Sequence, residues 1–150
     1  MDKLMATLLK MAKDIADLRR DVDDLKRREI PAGLWKAWVP ASQTGWTALP
    51  TGGYYFVLIG KLVIVRISIT AGTSNATTAK IALPYSSAST NATTGTNGYA
   101  TDNGQGLTAA SRWEIPASSS TINFYKNMAA GTWTNSGSKR IYCVAFYERA

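Results

Sequence analysis

The chain has 150 residues, of which 45% are hydrophobic, and its formal net charge is +7. This composition is typical of a folded protein with one ordinary domain, and it excludes general disorder. Histidine is absent and Cys143 is the single cysteine. An intrachain disulfide is therefore impossible, and histidine-based catalysis and Cys-rich metal sites are excluded. The basic residues are too scattered to predict a nucleic-acid-binding surface.

Residues 1–29 predict a coiled-coil stalk. Apolar side chains recur at alternating spacings of four and three residues, in an unbroken heptad seam of Leu4, Leu8, Met11, Ile15, Leu18, Val22 and Leu25. A helix that packs on its own domain carries a wider apolar stripe than this narrow seam. We therefore expect the helix to associate with identical helices.

Charges beside the seam predict the orientation of these helices. Asp14 and Asp21 occupy g positions of the heptads, and Arg19 and Lys26 occupy the e positions five residues later. In a parallel, in-register assembly each aspartate faces a basic residue of the neighbouring chain, whereas antiparallel helices place like charges together. Branched residues at a positions with leucine at d positions favour two strands, but Leu8 at an a position and Met11 at a d position weaken this preference. The seam alone therefore leaves the number of chains open.

The stalk is expected to end near Pro31, because proline does not continue a helix, and Gly33 loosens the exit. The predicted organisation is a stalk over 1–29 and a head over 30–150, with a neck at 30–40. About four heptads are short for independent stability. We therefore expect the head to help hold the chains together.

The sequence of residues 30–150 predicts an all-β head, because its apolar residues recur with a period of two. Short strands are predicted at 54–59, 62–70, 80–83, 99–101, 107–110, 112–115, 121–125 and 139–147. Gly60 and Lys61 predict a hairpin turn. Such strands indicate an antiparallel β-sandwich or jelly roll. Both faces of 62–70 are aliphatic, so one face should pack in the core, and the hypothesis for the other is contact with neighbouring heads.

A heptad stalk, a Pro/Gly neck and a compact β head together resemble the receptor-binding and fibre proteins of bacteriophages. Residues 35–49, which contain three tryptophans and two threonines together with Pro40 and Gly45, are followed by Tyr54, the Gly60-Lys61 turn and a Val/Ile strand. This order is similar to the head domains of phage minor tail and head-fibre proteins, as is the Ile-Ala-Leu-Pro segment at 81–84. The resemblance implies a homotrimer on the virion that binds a host-surface glycan or polymer.

The partners expected from the seam and the resemblance are copies of the chain itself, in a parallel homotrimer rather than a dimer. Other virion proteins are expected at the N-terminal end, and a host polysaccharide at the head. Nucleic acid, membrane insertion, cofactors and metals are not expected. Residues 1–29 are charged throughout and predict no signal peptide. The protein is therefore expected to be made in the host cytoplasm and carried on the virion surface, on tail or capsid.

Candidate ligand-binding residues are aromatic side chains with polar neighbours, because sugars bind by stacking on aromatic rings and by hydrogen bonds to polar side chains. The candidates are Trp133 with Asn135, then Trp113 with Arg112, then Tyr99 with Asp102. Packing in the core or a subunit interface is the favoured alternative for each aromatic residue. No catalytic residue is predicted, because the head has only three acidic residues, far apart in sequence, and no hydrolase or phosphate-binding motif.

The leading hypothesis for function is a trimeric, non-enzymatic virion fibre protein that displays a β head for host attachment. The first alternative is a decoration protein of a phage capsid or tail, whose head has no essential ligand. The second alternative is a cellular trimeric module, lectin-like or ligand-like.

Overall fold

A computed structural model of the chain describes residues 5, 7, 10, 11, 13–21, 35–90 and 92–150. The chain divides into two units, Met1–Leu34 and Trp35–Ala150, whereas the sequence predicted the boundary between residues 29 and 30. Several predicted stalk features lie outside the described residues: Leu4, Leu8, Val22, Leu25, Lys26 and the helix end at Pro31.

The described residues of the N-terminal unit are helical, in a run over 13–21 with further helical positions at 5, 7, 10 and 11. Arg20 donates a 2.9 Å hydrogen bond to the carboxylate of Asp17, one turn earlier. Such a pair stabilises a helix by a few tenths of a kcal/mol, roughly. Asp17 and Arg20 both lie outside the heptad seam.

The C-terminal unit is all β over the described residues 35–90 and 92–150, with no helix among them. The sequence predicted about eight strands, and the structure has eleven: β1 (Lys36–Ala37), β2 (Gln43–Thr44), β3 (Thr51–Ile59), β4 (Leu62–Ala71), β5 (Ala79–Ala82), β6 (Thr93–Thr96), β7 (Tyr99–Asp102), β8 (Gln105–Gly106), β9 (Arg112–Ile115), β10 (Thr121–Tyr125) and β11 (Arg140–Glu148).

These strands form two antiparallel sheets, which confirms the all-β, sandwich-like class. The six-stranded sheet has the order β1-β3-β4-β11-β7-β8, and the five-stranded sheet has the order β2-β5-β10-β9-β6. The predicted turn at Gly60 and Lys61 joins β3 to β4. Gly60 has a φ of +60°, a conformation that glycine adopts without steric cost.

The core lies between the two sheets and is built mainly from alternate residues of β3, β4, β9, β10 and β11. The predicted alternation in β4 is confirmed, because Val63, Val65 and Ile69 have no exposed surface and Ile67 is 1% exposed. The facing sheet contributes Ile81, Trp113, Ile115, Ile122 and Phe124. Each fully buried side chain of this kind stabilises the fold by about 1.5–3 kcal/mol.

Cys143 belongs to this core, as the sequence predicted. It lies on β11, where it alternates with exposed neighbours and is 5% exposed. Burial raises the pKa of its thiol to about 12, so the side chain stays protonated and unreactive at neutral pH.

The prediction of a strand at 107–110 is wrong. The turn after β7 is tight, because Asn103 and Gly104 both adopt positive φ angles. Pairing therefore resumes at once in β8 and stops at Gly106. Leu107 follows, donating a backbone hydrogen bond to Ala100 and packing against the core.

Substitution of Gly95 tests how closely the ring of Trp113 packs on the neighbouring strand of its own sheet. A Cβ atom at Gly95 would lie 2.5 Å from Cζ2 of Trp113, whereas a Cβ at Gly106 would meet nothing within 4 Å. We expect Gly95→Ala to destabilise the head by about 1–3 kcal/mol, the usual cost of overpacking. Urea denaturation should show no comparable loss for Gly106→Ala. Equal unfolding midpoints for the two variants would contradict the packing described here.

Candidate functional site

Two of the predicted ligand-binding aromatics lie in the core. Trp133 and Trp113 are each 2% exposed. The indole N–H of Trp133 donates a 2.8 Å hydrogen bond to the carbonyl of Phe124. The ring of Trp113 lies against Gly95 of the neighbouring strand. Rings buried to this extent have no open face for stacking on a sugar, so the structure contradicts that role for both and supports the core alternative.

Asp102 has a structural role in this fold. It is 5% exposed and pairs with the ammonium group of Lys126 at 2.8 Å. Its carboxylate also accepts hydrogen bonds from the backbone N–H and the hydroxyl of Thr134. Burial alone would raise the pKa of Asp102, but the bonds from Lys126 and Thr134 outweigh it and lower the pKa. The carboxylate therefore fixes the loop after β10 to β7.

The other predicted ligand residues are more accessible. Tyr99 is 50% exposed and its ring centroid lies 5.6 Å from that of Tyr142. Asn135 is exposed in the loop before β11, and Arg112 is partly exposed on β9. The structure therefore does not bring the predicted residues together into one site, but distributes them over two faces of the head and a loop.

Lys139 is a buried cation that the sequence pattern did not single out as a site. It has no exposed surface. Its ammonium group donates hydrogen bonds of 3.2 Å to the carbonyls of Gly45 and Ala76. It also lies 5.2 Å from the ring centroid of Trp46 and 5.5 Å from that of Trp133. These contacts hold the loops at one end of the sandwich around a single charge.

The six-stranded sheet presents an apolar face to solvent, which we call the outer face. Its side chains alternate with the core residues of the same strands. The central ones are Tyr55, Val57, Ile59, Leu62, Ile64, Arg66, Tyr99, Tyr142, Val144 and Phe146, and polar or charged ones at its ends are Ser68, Thr70, Arg140 and Glu148. Phe146 and Val144 are 55% and 54% exposed. Strand register places Val57, Ile64 and Phe146 in one row across the sheet. The row above them contains Tyr55, Arg66 and Val144.

Arg66 is the one charged side chain in the centre of the outer face, whereas Arg140 and Glu148 lie on the same face at the two ends of β11. Its guanidinium carbon lies 4.7 Å from the ring centroid of Tyr55 and 5.2 Å from that of Trp35. These two aromatic rings give the guanidinium favourable cation–π contacts within an otherwise apolar surface. Beside it, a groove of about 520 Å³ lies between Tyr55 and Tyr142, where the small residues Gly53 and Ser68 leave space.

The outer face of the five-stranded sheet is polar by contrast. Arg112 pairs with Glu114 at 3.2 Å and stacks 4.7 Å from the ring centroid of Tyr125. Asn123 lies opposite Glu114 in the strand register. Lys80 is exposed on the adjacent strand β5. We call these five residues the polar face, and their amide, carboxylate, guanidinium and hydroxyl groups suit hydrogen bonding to a hydroxyl-rich ligand.

The three exposed seam residues complete the candidate surfaces. Met11, Ile15 and Leu18 are 54%, 50% and 63% exposed in the single chain. Large apolar side chains at heptad spacing are normally covered by a partner helix.

Comparisons with known proteins give no functional assignment, because no family model and no curated protein matches the chain. Across the described residues, no helix is both long and apolar enough to cross a membrane. The same part of the chain contains no group of three or more His, Cys, Asp or Glu side chains placed to hold a metal ion. The functional conclusion therefore depends on the helical seam and the two sheet faces.

The burial of Lys139 predicts a pH dependence of stability. Burial lowers its pKa to about 8, and the nearby charge of Asp102 only partly opposes this. The unfolded chain, with an ordinary lysine pKa, binds more protons above pH 8, so this group makes the head more stable as pH rises. Between pH 7.5 and 9.5 the gain is about 2 kcal/mol.

The measurement is the free energy of unfolding at both pH values, compared between the wild type and Lys139→Met. The comparison is needed because the raised pKa of Cys143 acts in the opposite direction in both proteins. We expect the wild type to gain about 2 kcal/mol relative to the variant over this range. Parallel pH profiles would show that Lys139 does not titrate as described.

Proposed function

We propose that this protein is a structural virion fibre protein of a bacteriophage, assembled as a parallel homotrimer. The helical segment forms a coiled coil and carries an all-β head that attaches to a host-surface polymer. One observation carries the proposal: Met11, Ile15 and Leu18 are half or more exposed in the single chain. Leaving three large apolar side chains of one seam in water is unfavourable, and association of identical helices covers them.

The charges beside the seam support parallel chains. Asp14, Arg19 and Asp21 lie in the described helix and are exposed, as residues that pair between neighbouring helices should be. Each such pair contributes only about 0.2–1 kcal/mol, but an antiparallel arrangement replaces attraction with repulsion. The choice of three chains over two follows the resemblance to phage fibres, since the seam residues themselves favour neither strongly.

The polar face is the part of the head that we propose for host attachment. Arg112 and Glu114 offer hydrogen-bond donors and an acceptor, and Tyr125 offers an aromatic ring beside them. A site of this kind binds one sugar weakly. Three copies on one stalk gain avidity, because the second and third contacts form within an already attached particle. The N-terminal end would then anchor the protein to other virion proteins.

A decoration protein without an essential ligand is the second candidate function. The burial of Trp113 and Trp133 favours it, since the two tryptophans best suited by sequence to stacking on a sugar lie in the core. In that case the head and stalk would contribute to the particle surface only.

The seam predicts a specific response to mutation. Ile15→Asp places a charge at an a position, while Ala16→Asp places the same charge one residue further along the helix, away from the seam. We expect Ala16→Asp to keep the mass of the wild-type oligomer and Ile15→Asp to weaken association at least tenfold. Light scattering during size-exclusion chromatography measures both. Equal oligomer masses for the two variants would show that the seam does not hold the chains together.

The polar face predicts that only one of two matched variants loses attachment to host cells. Arg112 and Arg149 each stack on a tyrosine, Tyr125 and Tyr85 respectively, but only Arg112 lies on the polar face. We expect Arg112→Ala to reduce binding of labelled protein to host cells at least tenfold, the effect of losing a hydrogen bond from a charged group. Arg149→Ala should bind as the wild type does. Virions without the protein that still adsorb normally would instead support the decoration function.

A further inference from the structure

We propose that the outer face of the six-stranded sheet is a self-association surface, through which the head of one chain packs against the heads of its copies. The inference rests on the proposed oligomer, because the helices bring the copies together. It adds a second contact, in the head itself, and assigns that contact to a particular face.

The outer face is apolar at its centre and exposed to solvent in the single head. Five of its large apolar side chains are between 37% and 55% exposed: Ile59, Leu62, Tyr99, Val144 and Phe146. They form one continuous surface, because β7, β11, β4 and β3 lie side by side. Contiguous apolar surfaces larger than a few hundred Å² are rare on monomers and mark interaction surfaces.

The area of the outer face is limited. Strands are about 4.8 Å apart and alternate side chains about 7 Å apart, so three strands (β3, β4 and β11) and four rows cover roughly 400 Å² in projection. A stable complex of independent proteins usually buries about 800 Å² per partner. The outer face is therefore too small to hold untethered heads together, but large enough for heads whose helices already keep them at high local concentration. A second copy fits this limit.

Charged side chains lie mainly at the rim of the outer face. Lys61 and Glu148 pair at 3.9 Å at the rim of the outer face, where ions remain in water. Arg66 is the exception within the face, and its stacking on Tyr55 and Trp35 gives the cation a partner inside its own chain. An apolar centre with charges at the rim is the usual anatomy of a protein–protein interface.

Hydroxyl-radical footprinting of the full-length protein tests this face. Phe146 and Tyr99 report on the outer face, and Met128 is an internal reference because it is 54% exposed in a loop outside it. The experiment compares the wild type with Val144→Lys and Phe146→Lys, at side chains that are 54% and 55% exposed in the single head. Because the ring of Phe146 also lies 6.3 Å from the ring centroid of the buried Trp113, Val144→Lys is the variant that leaves the core contacts intact. Met128→Lys is the control variant, with a matched exposure of the replaced residue.

We expect Tyr99 to be labelled at least threefold more slowly in the wild type and Met128→Lys than in Val144→Lys and Phe146→Lys. Phe146 should show the same difference between the wild type and Val144→Lys. Labelling at Met128 should be the same wherever that residue is present. The protein concentration is set where all variants keep the wild-type oligomer mass, because the heads help the short helices to hold the chains together.

Three results would overturn the inference. Rapid labelling of the face in a wild-type oligomer would leave the proposed assembly intact but exclude the head contact. Protection that arises only on the virion, or only with an added polysaccharide, would assign the face to a different partner. A monomeric wild-type protein would contradict both the proposed oligomer and the proposed contact between heads.

Discussion

The pairing of β4 with β11 is the interaction on which the rest of the structure depends. Their register runs from Ile141 opposite Ile69 to Glu148 opposite Leu62. Because side chains alternate between faces, this register decides which residues enter the core and which meet solvent. A slip of one residue in β11 would exchange Ile141, Cys143, Ala145 and Tyr147 for their exposed neighbours. The core and the outer face are therefore two consequences of one strand pairing.

The two sheets have different outer surfaces, and each surface suits a different kind of partner. The six-stranded sheet is apolar on both sides, while the five-stranded sheet is apolar inside and polar outside. An apolar outer surface suits contact with another protein, and a polar one suits water or a hydroxyl-rich ligand. Together with the exposed seam of the helix, the surfaces favour an assembly that covers the apolar sheet and displays the polar one.

Much of the fold followed from local patterns. Alternation predicted β4, turn residues predicted the hairpin at Gly60, and the strands at 112–115 and 121–125 were predicted at their observed bounds. The two-residue strands were missed because so short a segment has no period to detect. The exposed aliphatic face of β4 was also visible in the sequence, since Leu62 and Ile64 alternate with the core positions.

The candidate site was harder to predict, because it depends on which strands become neighbours. A tryptophan in a polar loop, such as Trp133, has the same local sequence whether its ring is exposed or folded over the core. The cage around Lys139 joins residues about 60 to 90 positions apart, so no local motif reveals it. Stacking of Arg66 on Trp35 likewise needs contacts between strands that the chain order does not give.

The central claim is that the chain functions as an oligomer of identical chains. Native mass spectrometry of the full-length protein at micromolar concentration measures this most directly. The account predicts a dominant species of three chains that persists on dilution to the low micromolar range. A dominant species of one chain would contradict it, since the seam and the outer face would then remain exposed to water.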